Sequence, residues 1–304
     1  MGRLSPMRMR PLLILLGVQL VVAAAFLVLV ASGNLPFTGA DSAPGKAAAK
    51  HADRFDGPAA FKLLKLQLSY GPRPAGSKPL RRLGAKLRGL LPNGRFQAVP
   101  GGLRNVVGTV PGRDPRRFVV VGAHYDSKDM PGFLGANDGA GGTAALVQLA
   151  RTLKPHTIGP TVKFVLFDGE ETPRGVPESD FLARGLRGSK VAAPKFRHAR
   201  AMILLDFVAN KSLSLPREGT SDIALWARLR RAALRAGVGS YFPDAVGEGI
   251  YDDHTPFERA GVPSIDLIDF DFPCFHKTCD DLSAVSEQSL DASGEAVAGL
   301  LPTL

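Results

Sequence analysis

Two apolar runs joined by a glycine-rich turn constrain this chain more than any other feature. Val119 to Glu171 reads VVVGAHYDSKDMPGFLGANDGAGGTAALVQLARTLKPHTIGPTVKFVLFDGEE. The first run ends in His124-Tyr125-Asp126, and Asp138 sits inside GANDGAGG. A segment with helical spacing follows to Leu153, and the second run ends in Asp168-Gly169-Glu170-Glu171. The pattern is strand, loop, helix, strand, with imidazole or acid groups at both strand ends and in the loop. In open α/β sheets ligands bind outside the carboxyl ends of the strands. One histidine and several carboxylates gathered there suit a divalent cation, zinc above others, with a spare carboxylate as base.

The rest of the chain extends this pattern. Apolar runs predict strands over 104–110, 117–123, 162–167, 200–207 and 262–268. Helical spacing predicts helices over 59–68, 79–91, 139–153, 179–193, 221–236 and 286–301. Strands alternating with helices imply an α/β fold, a mostly parallel mixed central sheet sandwiched by helices.

Ahead of that domain, residues 11–31 are uncharged and almost wholly apolar, which is long enough to cross a bilayer core. Arg3, Arg8 and Arg10 precede the segment, and no Lys or Arg follows until Lys46. The positive-inside bias then puts residues 1–10 in the cytoplasm and the main domain outside it. The expectation is an uncleaved membrane anchor, with secretion after signal-peptide cleavage as the alternative. Residues 32–57, rich in Gly, Ala, Pro and Lys, read as a linker, and 58–304 as one catalytic domain. The net charge of +10 includes no basic run interleaved with aromatics, so no nucleic-acid partner is expected. Nothing in the sequence speaks to oligomeric state.

The strand-end groups, in order, are His124, Asp126, Asp138, Glu170, Glu171, Asp206, Asp252, Asp253, His254 and His276. Each has an ordinary explanation taken alone: an Asx-turn, an acidic helix start, a hydrogen-bonded rim histidine. Their placement on successive strand ends points instead to one site. Asp138, Glu171 and His276 form a three-ligand set that leaves zinc an open position. Glu170 neighbours a ligand but points elsewhere, which suits a proton shuttle. His124 and Asp206 either complete a second metal site bridged by Asp138 or act as hydrogen-bonding supports, and Asp126 could orient His124. Cys274 and Cys279 flank His276. A disulfide there would stiffen the loop carrying the last ligand, and free thiols or soft metal ligands are the alternatives.

The ordered motifs YGPRPAGS, NVVGTVPG, GAHYDSK, GANDGAGG, LFDGEE, LLDF, DDHTPFERAGVPSIDLI and HKTCDD resemble the zinc exopeptidase superfamily of aminopeptidases and glutaminyl cyclases over roughly Tyr70 to Leu301. HYDSK, DGEE and the two acids before HTPF are more similar to the glutaminyl-peptide cyclotransferase branch. The resemblance implies the zinc-exopeptidase (phosphorylase/hydrolase-like) fold. It implies zinc on Asp138, Glu171 and His276, Glu170 as shuttle, and a catalytic hydrogen-bond pair, Asp206 and Asp252. It also implies peptide or protein N-termini as substrates. Where the cyclases carry a tryptophan before the last ligand this chain has Phe275, and TPRGVPESDF lacks the one they carry after the Glu-Glu pair. One zinc would serve cyclisation of N-terminal glutamine, and two zincs would serve an aminopeptidase. A non-catalytic binding domain would be expected to have lost some of these groups.

Overall fold

The computed structural model describes residues 54–304. The segments 1–10 and 11–31 and most of the linker lie outside the described residues, and no helix among those described is long and apolar enough to cross a membrane. Phe55 is buried, and the Glu295 carboxylate accepts hydrogen bonds from the N–H groups of Arg54 and Phe55. Asp56 then caps the first helix, α1 (Gly57–Leu68), by accepting from Ala59 N–H. The packed domain therefore takes in Phe55 to Gly57, which the sequence reading left in the linker.

A second helix, α2 (Lys78–Leu90), follows with Ser77 as its cap. The strands are β1 (Arg95–Val99), β2 (Leu103–Val110), β3 (Asp114–His124), β4 (Pro160–Phe167), β5 (Met202–Leu205) and β6 (Ser264–Leu267). They form one six-stranded sheet in the order β1-β2-β4-β3-β5-β6. The pairs β1/β2 and β2/β4 are antiparallel, whereas β4/β3, β3/β5 and β5/β6 are parallel. The sheet is thus mixed, as expected, and parallel around the two runs that organise the sequence. β1 was not foreseen. It is a short edge strand tied to β2 through the Pro100–Gly102 turn, and RFQAV has no periodicity strong enough to announce it.

Alternation along the strands sorts the core into two layers. Val121, Phe164, Leu166, Ile203 and Leu205 face one cluster, shared with α1, α2, α3 (Ala140–Thr152), α6 (Ile223–Arg235) and α8 (Glu287–Leu300). Val120, Val165, Phe167, Met202 and Leu204 face the other, where Ala192, Ala193 and Phe257 cover them. Those last residues come from α5 (Arg187–Lys195) and α7 (Thr255–Arg259). Helix α3 opens with small residues, Ala140 to Ala145, where it lies against the sheet. A Cβ on Gly142 would stand 2.0 Å from the Leu205 carbonyl oxygen.

The continuous helix expected over 179–193 is broken. A 3-10 turn at Glu178–Asp180 leads into α4 (Phe181–Arg184), and α5 begins only at Arg187. Between them Leu186 takes φ +55°, and its N–H donates to the Glu170 carbonyl while Arg187 N–H donates to that of Gly169. The break exists to grip the Glu-Glu segment, a long-range purpose that local spacing does not reveal.

Candidate metal centre and active site

The parallel strands deliver their carboxyl ends to one edge. His124 is the last residue of β3, Glu170 and Glu171 follow β4, and Asp206 follows β5. β4 and β5 flank β3 on opposite sides, so the crevice opens above His124, where strand order reverses. Asp138 comes to it from the turn before α3. That turn needs Gly139 at φ +89°, where a Cβ would meet the Asp126 carbonyl oxygen at 2.4 Å. His276 arrives from the far end of the chain, on the loop between β6 and α8.

These side chains form two overlapping trios. His276 Nε2 lies 3.5 Å from both Asp138 Oδ2 and Glu171 Oε1. His124 Nε2 lies 3.3 Å from Asp138 Oδ1 and 3.4 Å from Asp206 Oδ1. Asp138 thus offers one oxygen to each trio. His124, Asp138, Glu171 and Asp206 are buried, and His276 is part-exposed. Asp138 Oδ2, Glu171 Oε1 and both His124 nitrogens are buried with no hydrogen-bond partner. Unpaired buried polar atoms are costly, and donors aimed at one another in this way fit a divalent cation.

The electrostatics carry the same imbalance. Burial works against charge on Asp138 and His124, but each sustains the other's. The Asp138 carboxyl is held below its usual range, and the His124 imidazole, facing Asp206, Asp126 and Asp138, well above it. Burial and the neighbouring Glu171 push Glu170 well up, and burial and Asp138 push Glu171 up. Such carboxyls hold protons readily until positive charge arrives.

Supports surround the trios. The Asp126 carboxylate accepts from the N–H groups of Glu170 and Glu171 at 3.3 Å each and stands 3.7 Å from His124 Nδ1. Lys128 Nζ donates to Glu171 Oε2 at 2.9 Å and also meets Glu178, so the other Glu171 oxygen alone faces His276. Cys274 and Cys279 form a disulfide that encloses His276, which sits at φ +49°. The Phe275 ring stacks on the His276 imidazole at 3.9 Å, and Phe133 meets it edge-on. Lys128 stood in the quoted HYDSK motif, but nothing in its spacing assigned it a task. Its signal, a lysine beside three buried polar residues, becomes readable only once Glu171 is known to lie across from it.

Asp206 and Asp252, the expected catalytic pair, line the same pocket, and the charge of Asp206 helps to push the Asp252 carboxyl up. Asp206 Oδ1 accepts from Phe207 N–H at 2.8 Å, and Asp252 Oδ1 accepts from Asp253 N–H. Asp252 also lies beside His254 and Asp266. Glu170 lines the pocket too, and burial with Asp266 beside it pushes the Asp252 carboxyl well up. Behind it, His254 is fully buried, with Nδ1 3.4 Å from Asp266 and Nε2 3.1 Å from Thr220 Oγ1. Asp253 is also fully buried, and burial pushes its carboxyl up to about 7 against the pull of Ser189.

The pocket over these groups has a volume of about 310 Å³. Asp138, Glu170, Glu171 and His276 form its floor, and Phe207, Ile250, Phe270 and Phe275 are among its apolar walls. Donors at parallel strand ends beneath a small apolar pocket define a metal-dependent α/β enzyme. The chain belongs to Peptidase family M28, whose sequence profile matches residues 105–301. Enzymes of this family are zinc-dependent, and the donor groups for zinc are present here. Aminopeptidase YwaD of Bacillus subtilis (strain 168) is 28% identical over 197 residues, 59% of this chain and 39% of that protein. The glutaminyl-peptide cyclotransferase of Drosophila melanogaster is 29% identical over 210 residues, 60% of this chain and 59% of that one. The chain thus spans less than two thirds of the length of each of these relatives. The crystal structure of Tannerella forsythia glutaminyl cyclase superposes with a TM-score of 0.74 at 27% identity, covering 82% of this chain and 99% of that one.

Proposed function

We propose that this protein cyclises N-terminal glutamine of peptides or proteins to pyroglutamate, with one zinc ion held by Asp138, Glu171 and His276. The observation that carries the reading is the inward convergence of these three residues, with Asp138 Oδ2 and Glu171 Oε1 buried and unpartnered, beside the Glu170 carboxyl. Zinc, when bound, supplies a Lewis acid for the side-chain amide carbonyl of the substrate. Glu170 takes a proton from the attacking α-amine and returns it to the departing nitrogen. A new N–C bond closes the ring, the old C–N bond breaks, and ammonia leaves. A raised Glu170 carboxyl suits both halves of that transfer. The apolar walls hold the glutamine methylenes and exclude water, which would otherwise compete with the amine.

A second reading, a two-zinc aminopeptidase, rests on the other trio, His124, Asp138 and Asp206. In that trio Asp206 Oδ1 also accepts the Phe207 N–H, which leaves the same oxygen a second lone pair for a metal. The solved structure reported above supports the cyclase, while the curated relatives divide between the two activities. The disulfide suits a domain working outside the cytoplasm, with residues 11–31 serving export as an anchor or as a cleaved signal. The test is to incubate the purified chain with a Gln-initiated and a Leu-initiated peptide while counting zinc. Ammonia release with one zinc per chain supports cyclisation. Free leucine with two zincs supports the peptidase and overturns the first reading.

A further inference from the structure

The motif YGPRPAGS contains an arginine that the reaction does not use. Arg73 lies in the loop between α1 and α2, and it is completely buried. An arginine taken wholly out of water is expensive unless its charge and donors are employed. No carboxylate of the described residues forms an ion pair with it within 4.0 Å. Its fork instead donates to two successive backbone carbonyls, Nη1 to Leu134 at 2.5 Å and Nη2 to Gly135 at 3.0 Å. Its own backbone is fixed at the foot of the site: Arg73 N–H donates to Ser127 Oγ, and Ser127 N–H donates to the Arg73 carbonyl.

The opposite side of the same loop is held by a buried acid. Asp280 Oδ1 accepts from Asn137 N–H at 2.7 Å, and Oδ2 accepts from Asp138 N–H at 3.0 Å. The Asp280 carbonyl accepts a third N–H, that of Ala136. Five consecutive residues, Leu134 to Asp138, therefore lie between a cation gripping their carbonyls and an anion gripping their N–H groups. The last of the five is the residue that offers an oxygen to each trio. Asp280 is also the fourth residue after His276, on the loop closed by the disulfide. One clamp thus couples the position of Asp138 to that of His276.

We infer that Arg73 and Asp280 are positioning residues that hold the Leu134–Asp138 loop so that Asp138 meets the metal in the geometry set by His276 and Glu171. This rests on the zinc reading above. Neither residue touches substrate or metal; both act through the backbone of the loop. A guanidinium is required because two carbonyls one residue apart need two donors in a fixed plane, which a lysine ammonium does not offer.

The test measures zinc affinity of the full chain by competition with a chromogenic chelator, alongside thermal melting, for wild type, Arg73→Lys, Arg73→Met and Asp280→Asn. Folded variants are expected to lose about 10–100-fold in zinc affinity, the range seen when partners outside the ligands are removed. Turnover should recover toward wild type once zinc is saturating. Should Arg73→Met fail to fold, Arg73→Lys and Asp280→Asn decide the matter. Unchanged zinc affinity in those two, with only a lowered melting temperature, overturns the inference and leaves Arg73 a prop for the fold. A wild-type chain that binds no zinc overturns the metal reading itself, and this inference with it.

Discussion

Asp138 and His276, separated by most of the catalytic half of the sequence, meet with Oδ2 and Nε2 3.5 Å apart, while the other Asp138 oxygen faces His124. Asp138→Asn keeps the shape of that residue but gives up its charge. It should weaken zinc binding by more than about 100-fold, beyond the loss expected for an outer partner. Equilibrium dialysis with zinc analysis checks this. Near-normal zinc content in the variant would remove Asp138 from the ligand set.

Glu170 sits in the pocket beside the trios, its Oε2 3.8 Å from His124 Nδ1, and burial with Glu171 beside it raises its carboxyl well above the usual range. Glu170→Gln should retain zinc and lose turnover by about 10²–10⁴-fold, the range for a positioned acid–base group. Single-turnover kinetics with metal analysis make the check. Full activity would assign the proton transfer to another group.

The disulfide closes a short ring around His276. Replacing both Cys274 and Cys279 by Ser should cost about 2 kcal/mol of stability on loop entropy alone. Zinc affinity should fall as well, because the φ of +49° at His276 is then no longer imposed by its surroundings. Denaturant unfolding run with and without zinc separates the two effects. An unchanged affinity would show that Phe275 and Phe133 suffice to hold the imidazole.

Burial holds the His254 imidazole at about 4, against 6.5 for a free histidine. The unfolded chain therefore takes up a proton below pH 6.5 that the native chain refuses until about pH 4. Stability from the neutral ring is complete above the upper value and is lost as pH falls toward the lower one. A gap of this size corresponds to roughly 3 kcal/mol. His254→Gln should flatten the fall in unfolding free energy across that window by about this amount, whatever its effect at neutral pH. An acid limb as steep as wild type's would contradict a neutral, buried His254.

The sheet was legible where strands are buried on both faces. Val119 to Ala123 and Val162 to Phe167 are continuous apolar runs, and their polar ends mark the rim of the site. The groups that converge there were legible for a similar reason, since the carboxyl end of a parallel strand is a position that sequence order specifies. What stayed hidden depends on contacts between distant segments. Lys128 matters because Glu171 lies opposite, Arg73 because the Leu134–Asp138 loop lies above it, and Leu186 because the Glu170 carbonyl needs a donor.

The most direct measurement is anomalous X-ray scattering at the zinc edge from crystals of the chain grown with zinc. The expected result is a peak about 2.0–2.2 Å from Asp138, Glu171 and His276 side-chain atoms, with Glu170 left outside the coordination. A peak elsewhere, or none at zinc concentrations that saturate related enzymes, would contradict the site.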